Sequence, residues 1–502
     1  MADSWYERLS MLDCSFLVFE GPQTYMHIAA ATIFETGPLT TAEGGVDIGR
    51  IRQYIASRLP LIPRYRQRLA YTPVEGHPVW VDDHRFDLVY HVRHTSLPRP
   101  GTEVQLRDLC ARLLERPLNR AKPLWEAWVI EGLAGGRFAL LLKVHHCMVD
   151  GLAGAELLAA LLSPVAETEW DDPPQWKPRP VPSRFELLRD EVGRRATMPL
   201  DLLRGLTGAA RDSGDLSSTL ARRFTAAWKL VRDGVRRPAA TPLNRPIGAH
   251  RRFHWVEIDL DEVKTVKNRL GGTVNDVVLA TVSGAVRRFL LHRQVSLVGL
   301  DFRVAVPVSV RSEEERRTPG NRVSVWIMPL CVQERYPVRR LNAVRTASAH
   351  FKQTNQAGGA DVLAQAAEWT GANVLSMGLA VANRNPPFNL IVTNVPGPPV
   401  PLYLAGAPMR AAYPLVPLFS NQGLGIALFS YAGKLFWGLN ADWEILPDID
   451  FFGAAIEASF AELLGAARQQ VVMAATKRRP TRRSQTQPAR SGGRAADRAA
   501  AT

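Results

Sequence analysis

The segment Leu141-Leu142-Lys143-Val144-His145-His146-Cys147-Met148-Val149-Asp150-Gly151 gathers the residues of this chain best suited to chemistry. An apolar run delivers two adjacent histidines, and an imidazole with an ordinary pKa of about 6.5 accepts a proton at neutral pH. Asp150 can hold the following loop through an ion pair or turn hydrogen bonds, while Gly151 permits close packing or a positive φ. Singly, a histidine at a strand end is structural and Asp-Gly is an ordinary turn. Together they read as a catalytic loop at the end of a strand, where α/β proteins aim reactive groups into a crevice. Zinc is the competing use of His, His and Asp. Neither an HExxH helix nor a cysteine set accompanies them, so no metal is expected. Cys147 reads as a small packing residue, because no nearby Asn or Asp is in place to orient a thiol nucleophile.

Two blocks of alternating strand and helix pattern must position this loop. In the first, His27–Phe34, Trp125–Ile130 and Phe138–Val144 read as strands, and Ile51–Leu69, Val104–Leu114 and Gly151–Leu162 as helices. In the second, Phe253–Leu260, Val304–Val310, Val323–Leu330, Phe388–Val392 and Leu435–Leu439 read as strands, and Val274–Leu291, Arg339–Lys352 and Ile449–Met473 as helices. Ser163–Pro182 between them has the Pro- and Asp-rich composition of a linker. Leu216–Val235 has an apolar stripe with Arg222, Arg223, Lys229, Arg232 and Arg236 interspersed; a connecting helix packed by its stripe is preferred over one lying on anionic lipid. The charge-free stretches Asn385–Met409 and Ala411–Gly433 are broken by Pro and Gly. They read as short buried strands rather than membrane spans.

The chain has 502 residues, 46% hydrophobic and 22% charged, which is enough for two to three packed domains and excludes a wholly disordered or collagen-like polymer. Its net charge is +14, with 53 Arg against 9 Lys, and half of the excess lies in the apolar-poor segment Lys477–Thr502, which reads as a disordered tail. The basic residues are not interleaved with aromatics in a recognisable module, so nucleic acid is not the expected partner. Four widely spaced cysteines and a polar, charged first segment fit a reducing, cytoplasmic setting.

The histidine segment resembles the HHxxxDG motif of CoA-dependent acyltransferases, a superfamily that includes chloramphenicol acetyltransferase and the condensation domains of peptide synthetases. Pro123-Leu124-Trp125, Asn275-Asp276-Val277-Val278-Leu279-Ala280 and Thr393-Asn394-Val395-Pro396-Gly397-Pro398 further resemble the PLW, ND and SNVPGP blocks of bacterial wax ester synthase/diacylglycerol acyltransferases. Leu9–Asp13, Met26-His27-Ile28 and Leu61–Leu69 match that family in style. Thr393 stands where the family often has Ser and keeps the hydroxyl; Ala29 stands where Gly is common.

The resemblance implies an α/β (α+β) fold of two chloramphenicol acetyltransferase-like domains, each a mixed sheet with packed helices, enclosing a tunnel at their interface. The expected division is 1–165 for the first domain, 166–250 for a basic linker with helices, 251–475 for the second domain and 476–502 for the tail. The implied activity is transfer of a long-chain acyl group from acyl-CoA, as co-substrate and with no cofactor, to diacylglycerol or a long-chain alcohol. By the same resemblance His146 is the base, His145 and Gly151 shape the turn, and Asp150 holds the loop through an arginine. Asn275 is the candidate oxyanion donor. Helix capping is the alternative role for Asn275 and Asp276. Pro123, Leu124, Trp125, Asp276, Thr393 and Asn394 are candidates for lining the substrate tunnel, with a core role preferred for the Pro-Leu-Trp block. Association with an anionic membrane or lipid-inclusion surface is expected from the charge. Two other functions fit the same residues: an acyltransferase of this fold served by a carrier protein, and a non-catalytic lipid-surface protein.

Overall fold

Apolar runs at residues 27–35 and 137–145 pair antiparallel, and this pairing forms the centre of the sheet that carries the histidines. A computed structural model describes residues 5–148, 158, 160–196, 238–309, 323–355 and 386–477. Its strands are β1 (Glu7–Arg8), β2 (His27–Glu35), β3 (Gln67–Tyr71), β4 (Pro78–Asp82), β5 (Val92–Ser96), β6 (Trp125–Leu133), β7 (Arg137–His145), β8 (Arg251–Asp259), β9 (Arg303–Ser309), β10 (Val323–Pro329), β11 (Leu390–Pro396), β12 (Tyr403–Leu404), β13 (Ala407–Leu415), β14 (Leu424–Tyr431) and β15 (Lys434–Asp442). Two six-stranded mixed sheets result, in the orders β12-β13-β2-β7-β6-β5 and β10-β9-β11-β14-β15-β8, beside a small sheet β1-β4-β3. Each large sheet is backed by its own buried apolar cluster, so the expected fold class is borne out.

The helix expected over Ile51–Leu69 stops at Arg58. Pro60 and Pro63 lack the N–H that a continuing helix needs, so the chain makes two short 3₁₀ turns and enters β3 at Gln67. By contrast, the helix Glu103–Leu114 lies one residue from expectation and opens on a Thr102/Gln105 capping box. Residues 166–183 contain no helix or strand but are tied to the first domain, with Arg58 2.7 Å from Glu167 and Arg179 2.8 Å from Asp82. The stretch read as Leu216–Val235, most of the helix expected over Gly151–Leu162, and the tail beyond Lys477 lie outside the described residues.

The two sheets exchange a strand. β12 and β13 lie late in the chain, within 251–475, yet β13 pairs with β2 of the first sheet along Met409–Leu415. From there β13 packs on β15 of the second sheet, with Tyr413 stacked on Trp255 at 4.4 Å and 8°. The crossing is backbone against backbone: a Cβ at Gly438 would lie 1.7 Å from the carbonyl oxygen of Pro414. Gly438→Ala is therefore expected to cost about 3 kcal/mol by overpacking, read as a lower urea midpoint with an unchanged m-value.

Candidate active site

β7 ends at the first histidine because its pairing ends there. His145 is in register with His27 of β2, and its N–H donates to the Leu124 carbonyl at 2.9 Å. The chain then turns through one 3₁₀ turn, His146–Met148. Two backbone bonds bracket the second histidine: His146 N–H donates to the Met26 carbonyl at 2.8 Å, and Cys147 N–H donates to His145 Nδ1 at 3.1 Å. Because His145 Nδ1 accepts, Nε2 is the ring nitrogen that carries a proton.

The His146 ring stacks on Phe16 at 3.8 Å and 19°. Its Nδ1 is buried and has no hydrogen-bond partner among the described residues, while the residue as a whole is only partly buried. Burial pushes its pKa down to about 4, with contact to its own backbone carbonyl opposing and the neighbouring His145 adding to the fall. At neutral pH this is an uncharged imidazole with access from one side, which is what a general base requires.

Residues not singled out in the sequence surround the pair. Glu20, at the end of the helix Met11–Phe19, places Oε1 3.3 Å from His27 Nε2 and 3.7 Å from His145 Nε2. Its Oε2 accepts from Arg120 Nη2 at 2.6 Å and Nε at 3.0 Å. Only the helix end given by the structure sets Glu20 apart, since an acidic residue at a helix C-terminus opposes the helix dipole and so needs another reason to be there. Two residues back along β7 and on the same face as His145, the fully buried Lys143 donates from Nζ to the carbonyls of Leu113 and Arg116 at 3.1 and 2.9 Å, closing the end of the helix Glu103–Leu114.

The remaining predicted site residues are dispersed. Trp125 is a core residue and not a tunnel wall: it is 2% exposed, donates from Nε1 to the Tyr65 carbonyl at 2.8 Å and stacks on His91 at 4.7 Å. Leu124 and Pro123 are buried with it, and Leu124 serves the site by its carbonyl to His145. Asp276 is likewise a helix cap, since its Oδ2 takes both the N–H and the hydroxyl of Thr273 at 2.8 Å. Asn275, on the same first turn of Val274–His292, is half-buried, and its amide makes no hydrogen bond among the described residues. Thr393 and Asn394 are half-buried on β11, where β11 still pairs with β14 but has already parted from β9, whose pairing covers only Leu390 and Ile391.

Asp150 and Gly151 lie outside the described residues. No hydrogen bond or ring contact joins Asn275, Thr393 or Asn394 to His146 among the described residues, but aromatic contacts connect the two halves. Phe19, on the helix that brings Phe16 to His146, meets Phe419 at 5.8 Å, and Phe419 meets Phe388, just ahead of β11, at 5.8 Å. Arg251 spans the same junction, its guanidinium bonded to the Gln23 and Gly248 carbonyls and 3.8 Å from Asp442. A separate cleft of about 630 Å³ between the sheets, lined by Arg137, Glu257, Tyr413 and Phe436, opens at the start of β7. That is about 26 Å along the strand from His145. Among the described residues no group of three His, Cys, Asp or Glu is placed to hold a metal ion.

Comparison with known proteins gives a consistent result. The wax ester synthase/diacylglycerol acyltransferase catalytic domain matches residues 9–278, and the C-terminal domain of the same family matches residues 319–464. A Mycobacterium tuberculosis protein named as a diacylglycerol O-acyltransferase is 33% identical over 461 residues, covering 88% of this chain and 87% of its own. Another from that species, named as the diacylglycerol O-acyltransferase tgs1, is 32% identical over 478 residues, covering 94% of this chain and 98% of its own. Among solved structures, the wax ester synthase/diacylglycerol acyltransferase of Marinobacter aquaeolei superposes with a TM-score of 0.63 at 26% identity, covering 92% of this chain and 99% of that one. The first condensation domain of the calcium-dependent antibiotic synthetase, at 16% identity and a TM-score of 0.56, covers 92% and 96% and shares the fold.

The buried histidines make stability depend on pH. Burial is the first cause that lowers His27, His91 and His146 each to about 4, below the value near 6.5 of an unfolded chain. Above pH 6.5 the rings are neutral in both states and this stability is fully present. As pH falls from 6.5 towards 4 the unfolded chain binds protons that the folded chain refuses, and stability is lost. Urea denaturation at pH 7.5 and pH 4.5 is expected to show the lower midpoint at the acidic value.

Proposed function

Because the chain belongs to the wax ester synthase/diacylglycerol acyltransferase family, we propose that it moves a long-chain acyl group from acyl-CoA to the hydroxyl of diacylglycerol. The products are triacylglycerol and CoA, and a long-chain alcohol in place of diacylglycerol would give a wax ester. The observation that carries the chemistry is the half-buried, uncharged His146 stacked on Phe16 at the mouth of β7.

With Nδ1 turned into the protein, Nε2 is the nitrogen left to meet substrate. It takes the proton of the acceptor hydroxyl as that oxygen attacks the thioester carbonyl. The negative charge that develops on the carbonyl oxygen needs a hydrogen-bond donor, and Asn275, with its amide unengaged and its helix held by the Thr273/Asp276 cap, is the residue proposed for it. Collapse of the tetrahedral species expels the CoA thiolate, which receives the proton from His146. No covalent acyl-enzyme forms on this route. The carboxyl end of β11, with Thr393 and Asn394, is the proposed passage for substrate from the second domain. The residues described do not need a cofactor for any of these steps.

The acceptor and product are insoluble in water, so the enzyme is proposed to work attached to an anionic membrane or lipid-inclusion surface on the cytoplasmic side. Among the described residues no helix is long and apolar enough to cross a membrane. Peripheral attachment is supported by the charge of +14 and by Phe185 and Val192, 73% and 58% exposed on the helix over residues 184–196.

Purified protein given a long-chain acyl-CoA and diacylglycerol is expected to release CoA, followed with a thiol reagent. His146→Ala should slow this by about 10²–10⁴-fold, and a variant at full rate would refute the base. Asn275→Ala is expected to lower kcat about 10²-fold with KM for acyl-CoA little changed. The acidic limb of the pH–rate profile should lie near pH 4, not 6.5, because His146 stays unprotonated until then. Removal of residues 478–502 is expected to weaken binding to vesicles containing anionic lipid and to leave turnover of soluble acyl-CoA nearly intact.

A further inference from the structure

We infer that Glu20 is the positioning residue of the histidine pair, a half-buried carboxylate that with Arg120 and His27 fixes both the turn that aims His146 and the helix that packs on it. The inference rests on the reading of His146 as the base, and it adds a residue that acts through others and touches no substrate. Glu20 is an expensive residue in this place. Its side chain is 11% exposed, and it stands at the carboxyl end of Met11–Phe19, where the helix dipole disfavours a negative charge. What offsets the cost is Arg120 on one carboxylate oxygen and two histidines facing the other. Arg120 grips Oε2 from two nitrogens, and its Nη2 also donates to the Leu17 carbonyl at 3.1 Å, tying the same helix. Oε1 faces the Nε2 atoms of His27 and His145 at 3.3 and 3.7 Å. Burial alone would raise the Glu20 pKa; the nearby His145, His27 and Arg120 outweigh it and hold the carboxyl well below the usual carboxylate range.

The consequence runs to His146 by two routes. His145 Nδ1 must accept from Cys147 N–H for the turn to hold, which leaves its Nε2–H to point at the Glu20 carboxylate. A ring free to rotate would release Cys147 N–H, and the peptide that follows His146 would lose its anchor. The second route is the helix itself, because the segment that ends at Glu20 carries Phe16, and Phe16 stacks on His146. One carboxylate therefore registers the base and the surface behind it. His27, paired with His145 across β2 and β7, is the third wall of this arrangement.

The test compares Glu20→Gln, Glu20→Asp, Arg120→Met and the Glu20→Gln/Arg120→Met double variant, with His146→Ala in parallel. Glu20→Gln is expected to remain folded by circular dichroism and to lose about 10–100-fold in kcat, with KM for acyl-CoA within about two-fold of the original. Glu20→Asp, which keeps the charge, should recover part of the loss. Arg120→Met removes a cation that holds Glu20 ionised, so the acidic limb of its pH–rate profile should move to higher pH. In the Glu20→Gln background the same change should leave that limb unmoved and the rate no lower than in Glu20→Gln alone. A Glu20→Gln protein with the original kcat per folded molecule would overturn the inference, and so would an unchanged acidic limb in Arg120→Met. If instead His146→Ala keeps full rate, the base assignment fails; an inert His146→Ala beside a fully active Glu20→Gln sinks only the role of Glu20.

Discussion

An imidazole accepts a proton only while it carries none, and the first domain shields one imidazole from water on all but one side. The means is position rather than a special partner. β7 runs from Arg137 to His145 through residues buried almost throughout, so His146, which follows its last residue, has most of its ring withdrawn from solvent. Withdrawal from water disfavours the imidazolium, and His146 stays neutral across the physiological range. The same withdrawal sets the demands on everything nearby. Every backbone group of the turn needs a partner, hence the bonds to Met26, Leu124 and His145 Nδ1. Every charge brought close must be paired, hence Arg120 opposite Glu20 and Glu126 3.7 Å from Lys143, whose Nζ also bonds two helix-end carbonyls.

A base alone does not make an acyltransferase, and the second domain is held to the first at several places of different character. β13 provides backbone pairing, Trp255 on Tyr413 provides a stacked pair, and Arg251 provides charge-assisted bonds into the loop before β2. The last of these reaches the Gln23 carbonyl, three residues before the Met26 carbonyl that receives His146 N–H. The relation of the two domains and the setting of the histidine turn are thus governed by one short loop.

How much of this could be read beforehand follows the range of the interactions. His145 and His146 were legible because an apolar strand, a turn and their residue types are adjacent in the chain. Asp276 was legible as a cap because Thr273 stands three residues before it, and the core role preferred for Trp125 needed only its bulk and a strand pattern. The overlong helix at Ile51–Leu69 came from giving apolar spacing more weight than Pro60 and Pro63. Glu20, His27 and Arg120 were not recognised, since each has an ordinary local setting and Arg120 comes 100 residues after the carboxylate it grips. The membership of β13 in the first sheet is of the same kind: its own residues announce a strand, but no local feature says that the partner is β2.

That exchanged strand has a consequence for how the molecule is made. During synthesis β2 and β7 leave the ribosome long before residue 407, and until then the edge of β2 that β13 will cover is an open row of N–H and C=O groups on an apolar ribbon. The first domain therefore cannot be finished as an independent unit from the amino terminus, as chains of separate domains commonly are. For the time taken to translate more than half of the chain, its most apolar sheet has an adhesive edge, exposed to any neighbouring nascent strand. The enzyme's hold between its two domains in the finished state is matched by a period of vulnerability on the way there, and chaperone occupancy of that edge is the natural cellular answer.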